Sequence, residues 1–93
     1  MMTILIFHEV NDGNKWEKAW KKGAGSRHEL FAKYGASART FRDISNPNLK
    51  GVIAEVPDLK IFQALMDTDE GKKAMAEDGL RVDTIRILSE FND

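Results

Sequence analysis

The chain contains no cysteine, which removes disulfides, thiolate nucleophiles and thiolate metal ligands together. No apolar run approaches the ~20 residues that a membrane-spanning helix needs. Neither sign of charge dominates: the formal net charge is −1, so there is no electrostatic case for nucleic acid or for an anionic membrane surface as partner. The segment Met1 to Val10 lacks the basic stretch and small-residue cleavage site of a signal peptide and reads as a strand, which makes a cytoplasmic protein the expectation. Only two prolines occur, Pro47 and Pro57, each inside a turn, and no linker, repeat or low-complexity segment divides the chain. HExxH and clustered carboxylate spacings are missing, so no metal is expected, and no cofactor motif is present.

What remains is an ordinary globular composition, 42% hydrophobic and 31% charged, which is too apolar for disorder. Residues 1–93 form one expected domain. A chain of this length buries roughly 60–65% of the surface its unfolded form exposes, enough to fold alone with little margin.

Thr3 to Val10 reads as a first strand, followed by the turn and helix cap Asn11-Asp12-Gly13-Asn14. Trp16, Ala19, Trp20, Leu30, Phe31 and Tyr34 recur at helical spacing. Gly23-Ala24-Gly25 interrupts that stretch, and Ser26 with Glu29 has capping-box spacing, so a second helical piece can restart at Arg27. Ala38 to Ser45 and Gly51 to Val56 read as strands about the turn Asn46-Pro47-Asn48. Asp58 is placed to cap a helix bearing Leu59, Phe62, Leu65 and Met66, and Thr68-Asp69 to cap a short continuation that stops at Gly79. A last strand is expected from about Val82 to Glu90 or Phe91. The order is β-α-β-β-α-β, the split pattern of an α+β ferredoxin-like fold with a four-stranded antiparallel sheet.

The strands are apolar on both faces. In the first, Ile4, Ile6 and Val10 lie on one side and Leu5 and Phe7 on the other. Helices on one side leave the second face bare, and another copy of the chain is the commonest cover. The Trp-bearing first helix ending in Phe31-Ala32-Lys33-Tyr34-Gly35, with the Asp-rich second helix running through Ala74-Met75 to a Gly stop, resembles the dimeric α+β barrel superfamily over nearly the whole chain. That superfamily holds antibiotic-biosynthesis-type monooxygenases, muconolactone isomerases, haem-degrading enzymes, polyketide cyclases and stress-responsive barrel proteins. The chain is most similar to its short uncharacterised bacterial members, and no branch's catalytic motif is present. The resemblance implies a homodimeric barrel with ligands held inside it or between sheet and helices.

Face assignment gives the candidate site. With Leu5, Phe7, Val52, Ala54, Val56, Ile85 and Ile87 toward the helices, the opposite face carries Ile4, Ile6, His8, Thr40, Arg42, Ile44, Ile53, Glu55, Thr84, Arg86 and Leu88. On it His8 is the acid/base candidate, and Arg42, Glu55 and Arg86 are the ligand-binding candidates, with spare positive charge suited to a carboxylate or phenolate. A structural ion-pair network near a barrel mouth accounts for the same four residues more readily than a ligand site does. Gly23 to His28 could expose backbone N–H groups to an anion with help from Arg27, although a flexible kink explains the glycines without one. The aromatic stripe reads as core, and Lys15, Lys18, Lys21 and Lys22, with Glu17 among them, as a solvated helix face. Two functions follow: a small-molecule-binding homodimer, as a cofactor-independent oxygenase, isomerase or cyclase on an aromatic or anionic metabolite, or a non-catalytic structural or stress-associated dimer. A cavity of roughly 300 Å³ beside His8 or the tryptophans would separate the two.

Overall fold

The computed structural model describes residues 1–21, 23 and 25–91. Lys22 and Ala24, which belong to the lysine face and the glycine break read from sequence, lie outside them. Four strands, β1 (Met2–Glu9), β2 (Ser37–Arg42), β3 (Leu49–Val56) and β4 (Arg86–Ser89), form one antiparallel sheet in the order β2-β3-β1-β4. Four short helices, α1 (Gly13–Trp20), α2 (Arg27–Lys33), α3 (Leu59–Asp67) and α4 (Asp69–Glu77), supply the other layer. This is the α+β ferredoxin-like arrangement expected from sequence.

Each helix starts where a side chain accepts orphan backbone N–H groups. Asp12 accepts from Asn14 and Lys15, Ser26 from Glu29, Asp58 from Ile61 and Thr68 from Gly71. The break between α1 and α2 falls as expected, because Gly23 (φ 140°) and Gly25 (φ 78°) hold backbone conformations that a helix does not contain. The Glu29 carboxylate reaches back to the Gly25 N–H at 2.7 Å and closes the entry to α2.

Strand ends differ from the sequence reading: β3 starts at Leu49, two residues before Gly51, β4 ends at Ser89, and two other ends have side-chain causes. Strand β2 stops at Arg42, not Ser45, because the Asp43 carboxylate accepts the N–H groups of Ser45 and Asn46 and turns the chain out of the ladder. Val82 to Thr84 is a 3₁₀ turn and not strand: the Thr84 hydroxyl donates to the Arg81 carbonyl at 2.6 Å and accepts the Glu9 N–H at 2.9 Å, which leaves β4 only four residues.

The larger correction concerns the faces. In an antiparallel pair, opposed residues share a face. Ile4 opposes Ala54, Ile6 opposes Val52 and His8 opposes Lys50, so Ile4, Ile6 and His8 lie under the helices beside Val52, Ala54 and Val56. Leu5 and Phe7 point the other way. Thr40 opposes Val52 and Arg42 opposes Lys50, which moves both of these to the helix side as well. Ile53, Glu55, Arg86 and Leu88 stay on the outer face, as expected. Trp16, Trp20, Leu30, Phe31, Phe62, Leu65 and Ala74 from the helices complete a single core against the inner face.

The outer face is apolar and open. Leu5, Phe7, Phe41 and Leu88 retain 36–48% of their surface there, around Ile53 and Gly51.

Gly13 and Gly71 are fixed by space and not by φ, a Cβ at Gly13 overlapping the Pro47 carbonyl oxygen. A Cβ at Gly71 would overlap the carbonyl oxygen of Leu65, because α4 starts tightly against the end of α3. Gly71→Ala should therefore cost roughly 2 kcal/mol, despite alanine's better helix propensity. Urea unfolding checks this, and an unchanged or raised midpoint would contradict the tight α3–α4 junction.

Candidate functional site

His8 sits near the end of β1 on the inner face, 3% exposed, with both Nδ1 and Nε2 lacking a hydrogen-bond partner. Its ring lies 5.7 Å from that of Trp16 on α1, and Trp16 leads on to Trp20 at 5.6 Å and then Phe31 at 5.1 Å. The tryptophan stripe is core, as read from sequence, but it also walls a cavity of about 60 Å³ between sheet and helices. His8, Ile6, Val52, Leu65, Met66 and Met75 share that wall, and Arg27 and Asp78 stand at its margin. His28 packs edge-on against Trp20 at 5.2 Å.

Burial lowers the His8 pKa from its ordinary 6.5 to about 4; the nearby Asp78 carboxylate opposes that shift and the Lys50 ammonium adds to it. At neutral pH the ring is therefore uncharged, with one donor and one acceptor.

Two ion pairs flank the cavity. Lys50, opposite His8 in the sheet, has a fully buried side chain whose Nζ lies 2.6 Å from Glu17 Oε2 and 5.2 Å from the Trp16 ring centroid. The Lys50 hydrogen bond, with added charge from Arg42, holds the Glu17 carboxyl below the usual range. Arg27 grips Asp78 through two hydrogen bonds of 2.8 and 2.7 Å and reaches Glu77 at 3.3 Å. Those carboxylates raise the guanidinium pKa further. Arg27 is thus committed to carboxylates and not to an anion at the start of α2. A second space of about 210 Å³ lies outside, between α2 and α4, and Arg27, Leu30 and Ala74 line both it and the cavity.

The four residues singled out from sequence are not brought together. His8 and Arg42 are on the inner face, Glu55 and Arg86 on the outer. Arg42, largely exposed, bonds Glu17 at 2.9 Å. Both Glu55 oxygens lie within 2.9 Å of the Thr3 hydroxyl, and the Arg86 guanidinium donates to the carbonyls of Asp83 and Ile85. Among the described residues, the spare positive charge expected beside His8 is not found there. Lys50, Glu17 and Asp78 are the residues that sequence reasoning missed. The signal for Lys50 was present: it lies two residues before Val52, on the alternation that puts Val52, Ala54 and Val56 inside.

A two-layer α+β ferredoxin-like subunit, with a histidine-bearing apolar cavity between sheet and helices and a bare apolar outer face, is the architecture defined by this geometry. Solved structures share its fold. A candidate antibiotic biosynthesis monooxygenase from Nitrosomonas europaea superposes with a TM-score of 0.69 at 10% identity, covering 99% of this chain and 98% of that one. SnoaB, a cofactor-independent oxygenase from Streptomyces nogalater, gives 0.65 at 13% identity over 99% and 91% of the two chains. PA3566 from Pseudomonas aeruginosa gives 0.63 at 13% over 99% and 93%. Identities this low establish the α+β ferredoxin-like fold and nothing finer. No protein-family model and no curated protein matches the sequence. Among the described residues, no helix is long and apolar enough to cross a membrane.

The depressed His8 pKa has a thermodynamic consequence. Between about 6.5 and 4 the unfolded chain binds a proton at His8 that the folded chain refuses, so stability is full above that window and falls with decreasing pH by up to about 1.4 kcal/mol per unit. His8→Leu should flatten the part of this slope lying above the carboxylate range. Urea unfolding at a series of pH values checks it, and an identical slope in both proteins would contradict a buried neutral imidazole.

Proposed function

We propose that this chain is a cytoplasmic, homodimeric barrel protein that binds a small molecule in the cavity beside His8. The observation that carries the reading is the imidazole itself, buried against an apolar wall with neither nitrogen paired. A buried unsatisfied polar group costs about 1–3 kcal/mol, which a purely structural core would avoid with leucine. Stability given up at one position is the mark of a site kept for use. The bare outer face, with Leu5, Phe7, Phe41, Ile53 and Leu88, supports pairing of two sheets, because monomers rarely expose so continuous an apolar surface.

SnoaB, among the proteins of like fold, is a cofactor-independent oxygenase, and that chemistry is the first to assay here. His8 in this reading holds and orients the ligand as a neutral hydrogen-bonding group. With a pKa near 4 it is a weak base in the resting site.

One observation favours the alternative, a non-catalytic dimer with a filled interior. The cavity, at about 60 Å³, falls well short of the ~300 Å³ of a typical ligand pocket. Ligand binding then requires either a very compact molecule or movement of the wall, where the unbranched Met66 and Met75 are the side chains best able to repack.

Sedimentation and a His8→Leu variant test the proposal together. The wild-type chain should sediment as a dimer, and Phe7→Glu, which leaves the helix-side core untouched, as a folded monomer. His8→Leu should remain dimeric, gain about 1 kcal/mol in stability at neutral pH, and lose the fragment hits that shift the Trp16 and Trp20 indole signals of the wild type in an NMR screen. A stable wild-type monomer would contradict the barrel. A His8→Leu protein of lower stability, with no fragment entering the wild type, would favour the filled structural dimer.

A further inference from the structure

We infer that the cavity selects a compact, uncharged, mostly apolar molecule carrying one hydroxyl or carbonyl oxygen that hydrogen-bonds to His8, and that it rejects anions. This rests on the reading of the cavity as a ligand site and goes further by fixing the chemical class of what enters.

Charge balance is the first argument. Among the described residues, each cation near the cavity already has its carboxylate: Lys50 has Glu17 at 2.6 Å, and Arg27 has Asp78 at 2.7 Å with Glu77 behind it. An entering carboxylate would find no free cation and would lose its hydration in an apolar space, a cost far above that of a neutral oxygen. An entering cation would meet Asp78 only by displacing Arg27.

The second argument is hydrogen-bonding capacity. A neutral imidazole offers one N–H and one lone pair, and neither has a partner in this structure. A hydroxyl can use either nitrogen and a carbonyl can accept from the N–H. The rest of the ligand's surface would meet Trp16, Val52, Leu65 and the two methionines, none of which offers a competing polar atom to it except the Trp16 indole N–H. The neutral state of His8, which its burial maintains, agrees with this. Size is the third argument: about 60 Å³ admits a molecule of three or four heavy atoms without rearrangement.

Three probes of similar size separate the terms, each titrated against the full chain at neutral pH with the Trp16 and Trp20 indole N–H signals as reporters. Xenon tests the space alone, isopropanol adds an uncharged hydroxyl, and acetate replaces it with an anion. Xenon and isopropanol should both enter, and acetate should bind roughly tenfold more weakly than isopropanol or not at all. In His8→Leu, isopropanol binding should fall severalfold relative to xenon, and His8→Gln, which keeps a donor and an acceptor, should restore most of it. Acetate binding as well as isopropanol would overturn the uncharged class while leaving the cavity a ligand site. Isopropanol affinity that follows xenon equally in all three proteins would overturn the role of His8. If none of the three enters, the cavity is not a site, and the underlying reading falls with the inference.

Discussion

The pairing of β1 with β3 places Ile6 opposite Val52 and His8 opposite Lys50, and the polar contacts of the cavity descend from that register. Sliding β1 by one residue would turn Leu5 and Phe7 under the helices and expel His8 from the core. The phase of β3 is constrained from within: Val52, Ala54 and Val56 can be buried on one side only if Ile53 and Glu55 take the other. The Glu55 carboxylate is satisfied there by the Thr3 hydroxyl, which is itself opposite it in the register. Strand β1 has apolar residues on both sides and inherits its phase from its neighbour. Val10, wholly buried beyond the end of β1 and bonded through its N–H to the Asn48 carbonyl, extends the same inward row past His8.

Two charges follow His8 into the structure: Lys50 is closed off by Glu17, and Arg27 by Asp78 with Glu77 behind it. Lys50 needs Glu17, which fixes α1 over the sheet end and sets Trp16 5.2 Å from the ammonium and 5.7 Å from the imidazole. Arg27 needs Asp78, which ties the start of α2 to the end of α4. A buried pair of this kind adds little net stability against an apolar alternative, but losing one partner is expensive. The consequence is local: the helix ends around the cavity are held in one arrangement and the space between them carries no excess charge.

Much of the fold was legible because its signals are local. Asp12, Ser26, Asp58 and Thr68 each cap the helix that their position announced, and the glycines at 23 and 25 break the first helical stretch where expected. The two-faced apolarity of β1 was legible too, and with it an outer face in need of cover. The choice between the faces was not, because alternation alone cannot rank Ile4, Ile6 and His8 against Leu5 and Phe7. Read from sequence, His8 goes outward with Ile4 and Ile6, on whose row it lies. In the structure it is carried inward by its row of β-branched neighbours and kept neutral by burial. The inversions of β1 and β2 scatter the expected cluster, with His8 and Arg42 on the inner face and Glu55 and Arg86 outside. Glu17 hid among lysines on a helix that reads as solvated, and its real partner lies 33 residues away.

The central claim is that His8 lies in the helix-covered core as a neutral, unpaired imidazole. Its ring ¹⁵N shifts, followed by NMR from neutral pH into acid, measure this directly. The expected result is a neutral ring down to about pH 4, with cross-relaxation to the Trp16 indole. Titration at the ordinary value near 6.5, without contact to Trp16, would place His8 on the outer face of the sheet and contradict the account.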